Sequence, residues 1–163
     1  MHHGRVIIFK LIFLKVHFSS LNLKWKTPKE LYKKLDAEFN FNYDPCPVDP
    51  DFDGLTVSWG SRSFVNPPYG REIQKWIKKG YEEHLKNKLV VLLIPSRTDT
   101  RYFHDYIMKA NEIRFIKGRL HFSEKGPAPF PSCIVVFKKK VEGAINPLVI
   151  FVIRDIVLFA LWF

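Results

Sequence analysis

Asn66, Pro67, Pro68 and Tyr69 follow an apolar strand ending, Phe64 and Val65, and form a stiff polar corner with a ring beside it. Proline lacks a backbone donor and fixes φ, so the pair must stop the strand and hold the chain rigid just beyond the sheet edge. Asn66 supplies a side-chain carbonyl, Pro67 a backbone carbonyl and Tyr69 a flat face. An exocyclic NH2 between two such carbonyls has both hydrogens accepted. That concentrates electron density on the nitrogen, while the tyrosine stacks on the attached ring. The chemistry suits methyl transfer to an amine conjugated with a ring or a carbonyl. Asn-Pro-Pro is also an ordinary turn sequence, so the surrounding elements have to decide.

Those elements alternate. Thr27, Pro28 and Glu30 read as a helix start, with Thr27 as cap, Pro28 at the first helical position and Glu30 completing a capping box. Leu31, Leu35 and Phe39 then share one face. Phe41 to Tyr43 is a short strand that delivers Asp44, Pro45 and Cys46 to its end. A turn-rich loop, Pro47 to Gly54, leads to Trp59 and the strand at Ser63 to Val65. Glu72 to Lys88 is the clearest helix, with Ile73, Trp76, Ile77, Gly80, Tyr81 and Leu85 as its apolar stripe. Leu89 to Ile94 is an unbroken apolar run of strand length, as expected of a parallel strand buried on both faces. A helix over Thr100 to Ala110, a strand at Glu112 to Ile116, a turn, a return at Leu120 to Phe122 and a last strand at Cys133 to Phe137 complete the pattern. It predicts a doubly wound α/β fold, with a mostly parallel sheet and helices on both faces. In such sheets ligands bind beyond the carboxyl ends of the strands, where Asp44, Asn66 and the Ser96 loop fall.

The chain has 163 residues, enough for about one domain with a sizeable core. Its net charge of +10 favours a polyanionic partner, most simply nucleic acid. Two cysteines, Cys46 and Cys133, are too few for a four-cysteine zinc site, and no metal is expected. A reduced, cytoplasmic setting follows from the same count. Both ends are apolar. Residues 6 to 18 are broken by Lys10 and Lys15 without a following cleavage site, which argues against a signal peptide. The tail from Pro147 to Phe163 is shorter than the roughly 20 residues of a membrane span and carries Arg154 and Asp155. It reads as extra strands, a packed helix, a poorly ordered extension or a self-association surface. The expected division is therefore an extension over 1–22, a central domain over 23–140 and an apolar tail over 141–163.

Seven motifs occur in order: Trp25-x-Thr27-Pro28, Asp44-Pro45-Cys46, Asp53-Gly54-Leu55, Asn66-Pro67-Pro68-Tyr69, Pro95-x-Arg97-Thr98-Asp99-Thr100, Lys117-Gly118-Arg119-Leu120 and Pro129-Phe130-Pro131-Ser132. The series resembles the phage-type Dam family of DNA N6-adenine methyltransferases over roughly Leu23 to Lys138. The resemblance implies a Rossmann-like class I methyltransferase fold and S-adenosylmethionine as cofactor, with methyl transfer to N6 of adenine in DNA. It assigns Asn66, Pro67, Pro68 and Tyr69 to the target adenine, which must leave the duplex stack to reach them. It assigns Thr27 and Pro28 to the methionine end of the cofactor, Asp44 to the cofactor's amino group and Asp53 to its adenine, with Cys46 grouped among these positions. Turn or cap roles compete for both aspartates. Cys46 and Cys133 read as packing residues and not as nucleophiles. An RNA adenine, a protein glutamine amide or a catalytically silent DNA-binding role fits the same corner.

Two features depart from the family pattern. No Gly-x-Gly turn follows Asp44, and only 22 positions separate Asp44 from Asn66, too few for the usual second and third strands with their helices. The cofactor pocket is expected to be shortened, or completed by another element such as the apolar tails or a second subunit. No target-recognition domain fits either, which leaves DNA contacts to loops, with Arg97, Arg101, Lys117 and Arg119 as candidates.

Overall fold

The computed structural model describes residues 26–122 and 126–139, together with the backbone of 149–153. Trp25, the extension over 1–22 and most of the C-terminal tail lie outside the described residues. Among the described residues five strands form one sheet: β1 (Arg62–Val65), β2 (Leu89–Pro95), β3 (Glu112–Ile116), β4 (Ser132–Phe137) and β5 (Val149–Ile153), in the order β1-β2-β4-β3-β5. β1 runs parallel to β2 and β3 parallel to β5, but β4 lies antiparallel between β2 and β3. The sheet is therefore mixed, which corrects the expectation of a mostly parallel one. Burial on both faces, the signal read from Leu89 to Ile94, requires cover on each side and does not fix a neighbour's direction. Extra strands were one reading of the tail, and β5 is such a strand.

Side-chain alternation shows how the helices cover this sheet. α1 (Lys29–Phe39) sets Tyr32 edge-on to Phe64, ring centres 5.2 Å apart, and Phe64 pairs in register with Val91. α2 (Ile73–Leu85) packs Gly80 against Val90 and Leu92, which point the other way. The two helices thus lie on opposite faces. The far end of α1 is tied down by Arg114, a buried guanidinium on β3 that forks to Glu38 at 2.6 and 2.7 Å and also bonds Glu112. α3 (Arg101–Asp105) is shorter than the helix predicted there and gives way to a 3-10 turn at Ile107–Lys109.

Three local expectations change. α1 has no capping box: Pro28 takes the cap position, no side chain caps the helix, Glu30 pairs with Lys33, and the Thr27 hydroxyl is engaged by Asn66 instead. On α2, Leu85 faces solvent while Glu83 and His84 are buried, because they and not Leu85 stand three and four residues on from Gly80. Leu120 to Phe122 is not a strand, and Phe41 to Tyr43 contributes a single parallel bridge, Tyr43 to Ser63. That bridge still matters. It brings Asp44 level with Phe64, two residues short of Asn66.

Candidate active site

The carboxyl ends of β1, β2 and β3 and the start of β4 meet at one end of the sheet, since Pro95 pairs with Ser132 and Phe115 with Cys133. At the β1 edge of this end opens a cleft of about 680 Å³, within the size range of small-molecule sites. One wall is the start of α1, with Thr27 and three lysines, Lys26, Lys29 and Lys33. The opposite wall is the loop from Asp44 to Gly54, and Phe64, Asn66, Pro68 and Trp76 complete the lining. The loop between Asp44 and Gly54 therefore forms the pocket wall itself.

Both aspartates shape that loop. Asp44 Oδ1 accepts from the Cys46 amide at 2.8 Å, and Asp53 Oδ1 accepts from the Leu55 amide at 2.9 Å. These are turn bonds of the Asx kind, yet both residues also line the cleft. Protein around Asp44 pushes its carboxyl above the ordinary aspartate range, only partly countered by the Cys46 N–H. The carboxylate reaches water through the cleft mouth, which limits that rise.

Gly54 lets the two ends of the loop close on each other. A Cβ there would stand 1.9 Å from the Pro45 carbonyl oxygen and 2.8 Å from the Trp76 ring. The Gly54 carbonyl accepts from the Trp59 indole at 2.7 Å, and Trp59 stacks on Trp76 with ring centres 6.3 Å apart. The Trp59 backbone N–H in turn donates to Glu83 at 3.2 Å, and Glu83 also takes Lys79, Lys86 and Lys88. Burial alone would raise the Glu83 carboxyl. The three lysines and the Trp59 amide overcome it and hold the group at about 2.

Asn66 sits where β1 ends. Its Nδ2 donates to the Thr27 hydroxyl at 3.0 Å, and its Oδ1 accepts from the Tyr69 hydroxyl at 2.8 Å. Pro68 lines the cleft beside it, while Pro67 is buried. The Tyr69 ring is 5% exposed and lies against Phe122 and Phe130, so in this structure it turns into the core and not toward the cleft. Thr27, Asp44, Cys46, Asp53, Asn66 and Pro68 thus share one cavity. Pro28, Pro67 and Tyr69 stand next to it without lining it.

Residues 18–157 match the family described as Dam, DNA N-6-adenine-methyltransferase. The chain belongs to the Dam family. It is also similar to the DNA N-6-adenine-methyltransferase of Haemophilus phage HP1 (strain HP1c1), at 26% identity over 136 residues covering 71% of this chain and 79% of the relative. For a Dam protein, the placement of the basic candidates is informative. Arg97 follows β2, Arg101 opens α3, and Lys117 and Arg119 follow β3; all four are exposed and none lines the cleft. Arg119 donates to the Ala128 carbonyl at 3.2 Å. Among the described residues no group of three metal-ligating side chains occurs, and no helix is long and apolar enough to cross a membrane.

Trp76, Phe52 and the lysines at and before the start of α1 are parts of this Dam cleft that the sequence does not mark. Trp76 lies on the stripe that marks a core-facing helix, and lysines alternating with glutamate read as a solvated face. Neither pattern carries a signal for a pocket.

Proposed function

We propose that this Dam protein binds S-adenosylmethionine in the 680 Å³ cleft and methylates N6 of an adenine brought to Asn66. The observation that carries the reading is the joining of Asn66 with Thr27, Asp44 and Asp53 in one cavity. The donor set fits such a cofactor. The uncapped first turn of α1 and Lys26, Lys29 and Lys33 suit a carboxylate, Asp44 and Asp53 suit amino groups, and Val48, Phe52 and Trp76 suit a purine ring.

S-adenosylmethionine, when bound, supplies an electrophilic methyl group on a sulfonium. The chain's own task is alignment, because no strong base is needed to attack such a donor. Asn66 Oδ1 accepts one hydrogen of the adenine amine and the Pro67 carbonyl the other. Both bonds strengthen as the nitrogen turns tetrahedral and cationic, so they stabilise the transition state more than the ground state. The proton then leaves to water. DNA is held by phosphate contacts from Arg97, Arg101, Lys117 and Arg119, with the target base turned out of the stack. The setting is the cytoplasm of a bacterial or phage-infected cell.

Calorimetry with S-adenosylmethionine, followed by labelled-methyl transfer to DNA, RNA and protein side by side, tests the proposal. Label on adenine N6 in DNA is expected. Label confined to RNA or protein, or no heat of cofactor binding, overturns it.

A further inference from the structure

Two arginines stand at the rim of the Asn66 corner, and what they do rests on the reading of Asn66 as the acceptor for the adenine amine. We infer that Arg71 and Arg119 clamp the two DNA phosphates that flank the target nucleotide, one guanidinium on each side. They are positioning residues, which hold the backbone from which the adenine is turned out.

Charge pairing singles out Arg71. From Glu72 to Lys88 each lysine has a carboxylate: Lys75 pairs with Glu72, Lys78 with Glu82, and Lys79, Lys86 and Lys88 with Glu83. Arg71 stands just before this stretch and is exposed, and among the described residues it has no acidic partner, since the adjacent Glu72 is taken by Lys75 at 2.6 Å. Such a guanidinium does little for the fold, but its planar fork of donors matches a phosphate bidentately. Pro67 and Pro68 stiffen the chain between Asn66 and Arg71, which keeps the arginine at the ligand-binding end of the sheet.

Arg119 reaches the same corner from the other side. The Tyr69 ring meets Phe130 and Phe122 edge-on, with centres at 5.3 and 6.0 Å, and so joins the segment after β1 to those after β3 and before β4. Arg119 lies shortly before Phe122 and is braced there. Its Nη1 donates to the Ala128 carbonyl at 3.2 Å, and the Ala128 N–H donates to the Leu120 carbonyl at 2.8 Å. That bond leaves most of the guanidinium donors for a ligand, and among the described residues no carboxylate pairs with Arg119. Neither arginine lines the cleft, which separates both from the cofactor. A nucleotide has a phosphate on each side, and turning it out of the stack swings the backbone about both, so one cation alone would leave it free to pivot.

The test uses short DNA duplexes in which one phosphate at a time, on either side of a methylated adenine, is replaced by an uncharged methylphosphonate. Wild type, Arg71→Ala, Arg119→Ala and Lys75→Ala are compared for kcat/KM and for duplex affinity at several salt concentrations. Each arginine variant is expected to lose roughly ten- to a hundredfold in kcat/KM on the unmodified duplex and about one phosphate contact from the salt slope. Cofactor Kd and melting should stay like wild type, and Lys75→Ala should match wild type on every duplex. Arg71→Ala should become insensitive to neutralisation of one flanking phosphate while keeping its response to the other, and Arg119→Ala should show the reverse. If Arg71→Ala stays fully sensitive to both phosphates, or if cofactor Kd weakens in step with DNA affinity, Arg71 is no part of a clamp. Coupling of both arginines to the same phosphate overturns the two-sided arrangement. If Asn66→Ala retains wild-type transfer, the underlying reading of the site fails; if it is inactive while Arg71→Ala matches wild type on all duplexes, only this inference does.

Discussion

Replacing Glu83 by Gln should destabilise the protein at neutral pH by an amount that disappears in acid. Glu83 is fully buried, with its carboxylate facing Lys79, Lys86 and Lys88 and accepting from the Trp59 amide. A carboxyl held at about 2 instead of 4.5 contributes about 3 kcal/mol. Breaking a wholly buried pair costs about 3–5 kcal/mol, and the lower end applies because Lys86 reaches solvent. The folded-state pKa is depressed, so this stability is fully present above the unfolded value near 4.5 and is lost as pH falls toward about 2. Urea unfolding of wild type and Glu83→Gln at neutral pH should show a gap of about 3 kcal/mol, closing progressively below pH 4.5. Because Glu83 holds Trp59, and Trp59 holds Gly54 at the cleft wall, cofactor affinity should fall as well. Equal stability at neutral pH, or a gap that persists in acid, would refute the reasoning.

Gly54→Ala forces the Pro45 carbonyl back by roughly 1 Å, since a Cβ cannot stay at 1.9 Å from it. Overpacking of this kind costs about 1–3 kcal/mol, and calorimetry should show cofactor binding weakened as the loop shifts. A melting curve and an affinity both like wild type would mean that the loop does not form the binding wall. Asp44→Asn keeps an oxygen for the Cys46 amide but removes the charge, so melting should change little while cofactor affinity drops roughly ten- to a hundredfold. The Asp44 carboxyl is raised by burial, so wild-type affinity should weaken as pH falls through a value above the ordinary aspartate range. The Asn variant should lack that step. DNA affinity should fall steeply and linearly with log salt, given the +10 charge and the exposed arginines and lysines; a flat titration would contradict phosphate-dominated binding.

The sequence revealed most of what depends on local pattern. The strand ends at Val65 and Pro95 are legible because an apolar run stops at polar or proline residues; the strand expected over Phe41 to Tyr43 is only a single bridge, yet that bridge is enough to bring Asp44 and Asn66 to the same end of the sheet. The direction of β4 was not legible, because Cys133 to Phe137 is buried on both faces whichever way it runs. The Thr27 hydroxyl could serve the helix start or a distant side chain, and only the fold shows that Asn66, 39 positions away, takes it. The cleft wall was hidden for a related reason. Gly54 touches Pro45 across a loop, and Trp76 sits on a helix stripe that otherwise faces the core.

Asn66→Ala tests the central claim most directly. Cofactor binding by calorimetry and methyl transfer to DNA should be measured on the same preparation of the variant and of wild type. Loss of one transition-state acceptor predicts transfer reduced at least about a hundredfold, with cofactor affinity and melting close to wild type. Transfer to adenine at a near wild-type rate would contradict the account.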